Sequence, residues 1–149
     1  MLLALIFSML LVLATVLIHY ETLRMASSWL PRLQIPPRQR IIAAIFATFC
    51  AHTVEIWLYA MAYFILADDF GIGSLGGANS KEFYDYLYFS TATYTTLGFG
   101  DVVPHGGLRI MAGIESLTGL LMITWSASFT YVAMEKFWGM HVTRRAPSE

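Results

Sequence analysis

The chain has 149 residues, 57% of them hydrophobic and 13% charged, with a mean hydropathy of +0.60. A soluble domain carries about a quarter charged residues, so this composition belongs in lipid. The net charge of -1 excludes a bulk attraction to nucleic acid or acidic substrates, and a single cysteine, Cys50, excludes a disulfide framework or a multi-thiolate metal site.

Three apolar runs reach the length of about 20 helical residues that a hydrocarbon core demands. They cover residues 1–18, 41–67 and 108–134. The first lacks the basic n-region and the small-residue cleavage site of a signal peptide and reads as a retained helix. In the connector that follows, residues 20–30 mix polar and apolar positions with Arg24 and Trp29, as an interfacial helix does, before Pro31 and Pro36-Pro37 interrupt regular structure. The connector reads as a membrane-surface elbow, and residues 1–40 are also where an unknown partner could bind. The second run carries His52 and Glu55 and the third carries Glu115, so these polar residues are expected to face protein. His52 and Glu55, three apart on one helical face, are expected to pair near mid-bilayer; two ligands are too few for a metal site. Cys50 reads as a packed small residue.

Cationic flanks stay in the cytoplasm. Arg24, Arg32, Arg38 and Arg40 precede the second run, and Lys136, Arg144 and Arg145 follow the third. The connector between those two runs holds Asp68, Asp69, Glu82, Asp85 and Asp101 against Lys81 and Arg109, so it belongs outside. The N-terminus is then outside as well, and the C-terminus is cytoplasmic.

The outer connector has two unlike halves. DDFGIGSLGGANS (68–80) is glycine-rich and reads as an exposed, mobile loop. KEFYDYLYFSTATY (81–94) has no glycine or proline, with Ser80 placed to cap it and Glu82 and Asp85 in its first turns. Such a helix is too short to span, so it enters the membrane and stops. Its last carbonyls and the irregular backbone beyond it are tolerated only inside protein or beside a water-filled path. TTLGFGD (95–101) follows, and Gly98 and Gly100 can take left-handed conformations there. Alternating such residues with ordinary ones aims carbonyl oxygens to one side, and a row of carbonyls replaces the hydration shell of a cation.

TTLGFGD, preceded by FYDYLYFSTATY and followed by VVPHGGLRI, resembles the pore helix, selectivity filter and filter exit of potassium channels, most closely the two-transmembrane pore module of bacterial and two-pore-domain channels. The resemblance implies an all-α membrane protein with three transmembrane helices, a re-entrant pore helix and an extended filter. It divides the chain into an N-terminal helix and connector (1–40), a pore module (41–137) and a short cytoplasmic tail (138–149). The module comprises an outer helix (41–67), pore helix (81–94), filter (95–101) and inner helix (108–134). It implies that K+ is bound by the carbonyls of Thr96, Leu97, Gly98 and Phe99, that the Thr96 hydroxyl forms the innermost site, that Gly100 turns the chain and that Asp101 stands at the outer mouth. Leu97 and Phe99 depart from the family's commonest T-V-G-Y-G, and Phe99 lacks the phenol that tethers the filter to the pore helix in many relatives. One segment presents one wall of a coordination cage, and the family uses four, so a homotetramer in the plasma membrane is implied.

Tyr84, Tyr86, Tyr88, Phe89 and Tyr94 are either an aromatic cuff around the filter or interface-belt residues, with Tyr88, Phe89 and Tyr94 nearest the filter. Glu115 is expected at the depth of the filter, bracing the pore helix or sensing external protons. Gly113 and Gly119 lie on the third run, where Gly119 resembles the family's hinge glycine or is a small packing contact. Thr118, Met122 and Ser126 share a stripe expected to line a water-filled cavity below the filter, and bulky Trp125 faces lipid or a neighbouring helix. No voltage-sensing arginine series, nucleotide loop or catalytic constellation is present, so an enzyme is not expected, and the permeant ion takes the place of a cofactor. A weakly selective cation channel and a non-conducting scaffold subunit are the alternatives.

Overall fold

The computed structural model describes residues 2–77 and 82–142; the expected Ser80 cap, Lys81, Arg144 and Arg145 lie outside them. The order of elements is α1 (Leu2–Trp29), a 3-10 turn (Leu30–Arg32), α2 (Pro37–Asp68), β1 (Gly73–Gly76), α3 (Phe83–Tyr94), β2 (Val103–Gly106) and α4 (Leu108–Val142). Among the described residues, three helices are long and apolar enough to cross a membrane, namely Leu2–Arg32, Pro37–Asp68 and Leu108–Lys136. The chain is an all-α membrane protein apart from one short sheet.

The buried face of α1 consists of Ala4, Ser8, Leu11, Thr15, His19, Leu23 and Ala26, spaced by threes and fours, whereas Leu3, Leu10, Leu13 and Leu17 are exposed. Apart from Leu11 and Leu23, the inward residues are small or polar and the large apolar ones face outward, the arrangement that lipid favours for packed helices. The separate interfacial helix expected over residues 20–30 does not occur, because α1 continues to Trp29 as one helix, and the chain turns between Leu30 and Pro36, where the prolines stand. Glu21, Leu23, Arg24, Met25 and Ala26 are good helix formers with no glycine or proline among them, and Arg24 pairs with Glu21 one turn away at 2.8 Å. Pro31 then ends the run. Pro37 opens α2 at a position where a missing N–H costs nothing. Cys50 is exposed on α2 rather than packed, because it lies beside the helix face that carries Ala51 and Glu55 inward.

Two core clusters fix the helix directions. One joins Leu11, Tyr59, Tyr63, Leu66, Phe89, Leu108 and Met111; the other, near the arginine-rich connector, joins Ala26, Leu30, Ile41, Ala44 and Ala133. The start of α1 therefore meets the end of α2 and the start of α4, so α1 runs antiparallel to α2 and parallel to α4.

The glycine-rich segment is not an open loop over its described part. β1 pairs antiparallel with β2, with Gly73 opposite Gly106 and Gly76 opposite Val103. A Cβ on Gly73 would collide with the His105 carbonyl, so the glycine serves close strand approach rather than mobility.

Candidate functional site

The site begins where α3 stops. Its end rests against α4 because Gly119 has no side chain; a Cβ there would collide with the Tyr94 carbonyl. The Ser116 hydroxyl donates to the Thr93 carbonyl at 3.1 Å. The Thr95 N–H donates to the Thr91 carbonyl at 3.2 Å, the Thr96 N–H to Thr93 at 3.0 Å and the Gly98 N–H to Ala92 at 3.1 Å. The carbonyls that a terminating helix leaves orphaned are thus satisfied by the segment that follows it.

Beyond Tyr94 the backbone alternates. Thr96, Gly98 and Gly100 have φ of 60°, 53° and 83°, whereas Leu97 and Phe99 do not have positive φ. The two glycines accept this conformation freely, but Thr96 is a β-branched residue held in it at a cost of about 1–2 kcal/mol. Sequence reasoning singled out the glycines and had no signal for the left-handed Thr96, whose N–H bonds to Thr93. The Thr96 and Gly98 amides point back at α3, and no described residue donates a hydrogen bond to the carbonyls of residues 96–100. A cavity of about 320 Å³ behind this strand is lined by Thr93, Thr96, Gly98, Gly100, Ala112 and Ser116 among others.

Asp101 closes the strand. Its Oδ2 accepts from the Tyr88 hydroxyl at 2.8 Å, its Oδ1 from the Val102 N–H at 3.0 Å, and the Tyr88 ring stacks on Phe99 with 5° between planes. The bond to the carboxylate raises the Tyr88 phenol above its ordinary range, so it stays a donor at neutral pH. Phe99 has no phenol of its own, and Tyr88 supplies a tether between strand and helix instead. Phe89 is buried edge-on against Tyr63, whereas Tyr84 is exposed and the Tyr86 hydroxyl donates to Asp68 at 3.3 Å. Burial, and then the Asp68 charge, raise the Tyr86 phenol.

Tyr94 turns away from the strand. Its hydroxyl donates to Glu55 and lies 2.9 Å from His52 Nδ1. His52 and Glu55 are within 3.5 Å of each other, as their spacing suggested, but His19 of α1 joins them, with Nδ1 3.0 Å from Glu55. Sequence reasoning missed His19; the periodic inward face of α1, with Ser8 and Thr15, was the signal that could have found it. Trp125 lies against the same histidine, with ring centroids 5.4 Å apart.

Glu115 is fully buried and joins three helices, accepting from Tyr63 at 2.5 Å and from Ser90 at 2.6 Å. The expectation that Thr118, Met122 and Ser126 line a cavity is corrected. All three are buried in the subunit, and Ser126 lies within 3.1 Å of both His19 and His52, because this stripe of α4 faces α1 and α2. Gly119 is a packing contact in a helix that runs unbroken through it, and a Cβ on Gly113 would meet nothing within 4 Å.

Residues 41–136 match a family described as ion channel. Over 60 residues the chain is 43% identical to the uncharacterized membrane protein YdjJ of Bacillus subtilis (strain 168), covering 38% of this chain and 18% of that protein. Over 75 residues it is 32% identical to the inward rectifier potassium channel Kirbac3.1 of Paramagnetospirillum magnetotacticum, covering 50% of this chain and 24% of that one. The alignments thus span about a quarter or less of these relatives. No solved structure matches the chain. The family match takes in α2, the α3-to-strand unit and most of α4, more than half of the sequence, and the chain belongs to the ion channel family, with α1 preceding the two-helix module.

Proposed function

We propose that four copies of this chain surround an axis and pass potassium ions down their electrochemical gradient. The observation that carries this reading is the alternation of left-handed backbone at Thr96, Gly98 and Gly100, with the Thr96 and Gly98 amides committed to α3 and no described residue donating to the carbonyls of residues 96–100. Carbonyls of Thr96, Leu97, Gly98 and Phe99 in four copies replace the water around a dehydrated K+, with the Thr96 hydroxyl innermost and Gly100 turning the strand outward. Asp101 and the acidic connector raise the local cation concentration. Leu97 and Phe99 are 57% and 65% exposed on the single chain, which supports further copies packing against this strand. The similarity to an inward rectifier potassium channel favours potassium over other cations.

In this reading the start of α1 and the strand's outer end face the exterior, the arginine-rich connector and the end of α4 face the cytoplasm, and lipid of the plasma membrane covers the outward leucines of α1. The chemistry requires no cofactor beyond the permeant ion.

Purified protein in liposomes tests the proposal. Potassium flux is expected, with a bi-ionic reversal potential favouring K+ over Na+, and Gly98→Ala abolishes it. At φ 53° an alanine costs about 1–2 kcal/mol. Its Cβ meets nothing within 4 Å in the subunit, so assembly survives. Equal passage of sodium would make this a weakly selective cation channel; no flux at any pH or voltage would make it a scaffold subunit. Unchanged current in Gly98→Ala would remove the strand from the mechanism.

A further inference from the structure

Five side chains drawn from all four helices close a ring of contacts inside the bundle. His19 Nδ1 lies 3.0 Å from Glu55 Oε1, and His19 Nε2 lies 3.1 Å from Ser126 Oγ. Ser126 Oγ lies 2.9 Å from His52 Nε2, and His52 Nδ1 lies 2.9 Å from the Tyr94 oxygen, whose hydroxyl returns to Glu55 Oε2. His19 and Glu55 are fully buried; the His52 side chain keeps 18% exposure. Two imidazoles and a carboxylate thus turn their donor atoms toward one another inside the spanning helices, where ionisable groups are rare and need partners.

We infer that this cluster binds a divalent transition metal of the zinc class through His19 Nδ1, His52 Nδ1 and the Glu55 carboxylate. Zinc bonds of about 2.0–2.1 Å in a tetrahedron set neighbouring donors about 3.3–3.4 Å apart. His19 Nδ1 lies 3.0 Å from Glu55 Oε1 and His52 Nδ1 lies 3.5 Å from Glu55 Oε2, one histidine at each carboxylate oxygen and both near that spacing, and one ligand atom from each of the three residues lies within 4.8 Å of the others. Both Nδ1 atoms face the carboxylate, and both Nε2 atoms converge on Ser126 Oγ. With metal on Nδ1, each Nε2 carries a proton, and the two lone pairs of the serine oxygen accept both, fixing the tautomers from outside the coordination sphere. The Tyr94 oxygen, 2.9 Å from His52 Nδ1 and hydrogen-bonded to Glu55 Oε2, offers a fourth ligand; if it binds, its proton leaves to solvent, and phenolate plus carboxylate balance the double positive charge. Potassium, magnesium and calcium seek six or more oxygens and do not fit a set with two imidazoles. This inference does not depend on ion conduction.

The test uses tag-free, chelator-stripped protein in detergent, with Zn2+ and Co2+ as probes. One metal per chain should remain after gel filtration, Co2+ should give the intense visible bands of a tetrahedral site, and Zn2+ should raise the melting temperature. His52→Ala and Glu55→Gln should each weaken binding by more than the roughly 10–100-fold expected for Ser126→Ala, which removes only the outer acceptor. His105→Ala, an exposed histidine outside the cluster, should change nothing. The proposal is overturned if the ligand variants bind like the wild type, or if the folded wild type shows only the pale spectrum of octahedral Co2+ and no thermal shift. The wild-type spectrum decides even where a variant does not fold.

Discussion

The Tyr88 hydroxyl donates to Asp101 Oδ2 at 2.8 Å, so the helix that launches the irregular strand also holds its far end. The strand is fastened at both ends to α3, by backbone amides at Thr96 and Gly98 and by this side-chain bond at Asp101.

Removing the second fastening should loosen the strand without unfolding the subunit. Tyr88→Phe keeps the stack on Phe99 and loses only the bond to Asp101. Under the proposed function, the variant should pass sodium severalfold more readily relative to potassium, or inactivate faster, with an unchanged melting temperature. Paired flux measurements in liposomes read both.

Gly119→Ala places a methyl group against the Tyr94 carbonyl, a backbone atom that cannot step aside. Overpacking of this kind costs about 1–3 kcal/mol. Gly113→Ala, with nothing within 4 Å of the added carbon, should stay within about 0.5 kcal/mol of the wild type. Thermal unfolding in detergent compares the two, and equal losses would mean that α3 does not rest on α4 as described.

Glu115 separates charge from hydrogen bonding. The Ser90 hydroxyl lies 2.9 Å from the Ile56 carbonyl and 2.6 Å from Glu115, and its single proton serves one of them at a time. A glutamine amide can donate to Ser90 while Ser90 donates to Ile56, and its oxygen can still accept from Tyr63. Glu115→Gln should therefore cost about 1 kcal/mol or less, whereas Glu115→Ala strands buried hydroxyls and should cost about 2–5 kcal/mol. Unfolding by denaturant in micelles distinguishes them.

The sheet makes the outer connector ordered. Amide hydrogen exchange should show protection across residues 73–76 and 103–106, and Gly73→Val, which drives its side chain into the His105 carbonyl, should abolish it. Free exchange in the wild type would restore the expectation of a mobile loop.

Much of this architecture was legible in the sequence. The three spans and the arrest of the short helix follow from local hydropathy and length, and the glycines of TTLGFGD signalled left-handed backbone at two positions. What stayed hidden depends on partners distant in sequence. His19 and Glu55 are 36 residues apart, and Ser126 is 107 residues from His19, so the polar ring has no local signature. The glycines of β1 were misread because composition alone does not separate a glycine that frees the chain from one that admits a neighbouring strand. The α4 stripe was misassigned because the inward side of that helix is set by α1, whose own face had not been read as polar.

Tyr94 occupies a junction. Its hydroxyl is held by Glu55 and His52 of α2, which His19 of α1 and Ser126 of α4 contact in turn; its carbonyl is seated on Gly119, and the next residue begins the irregular strand. One imidazole, one carboxylate and one phenol thus join the first helix, which lies outside the matched module, to the root of that strand.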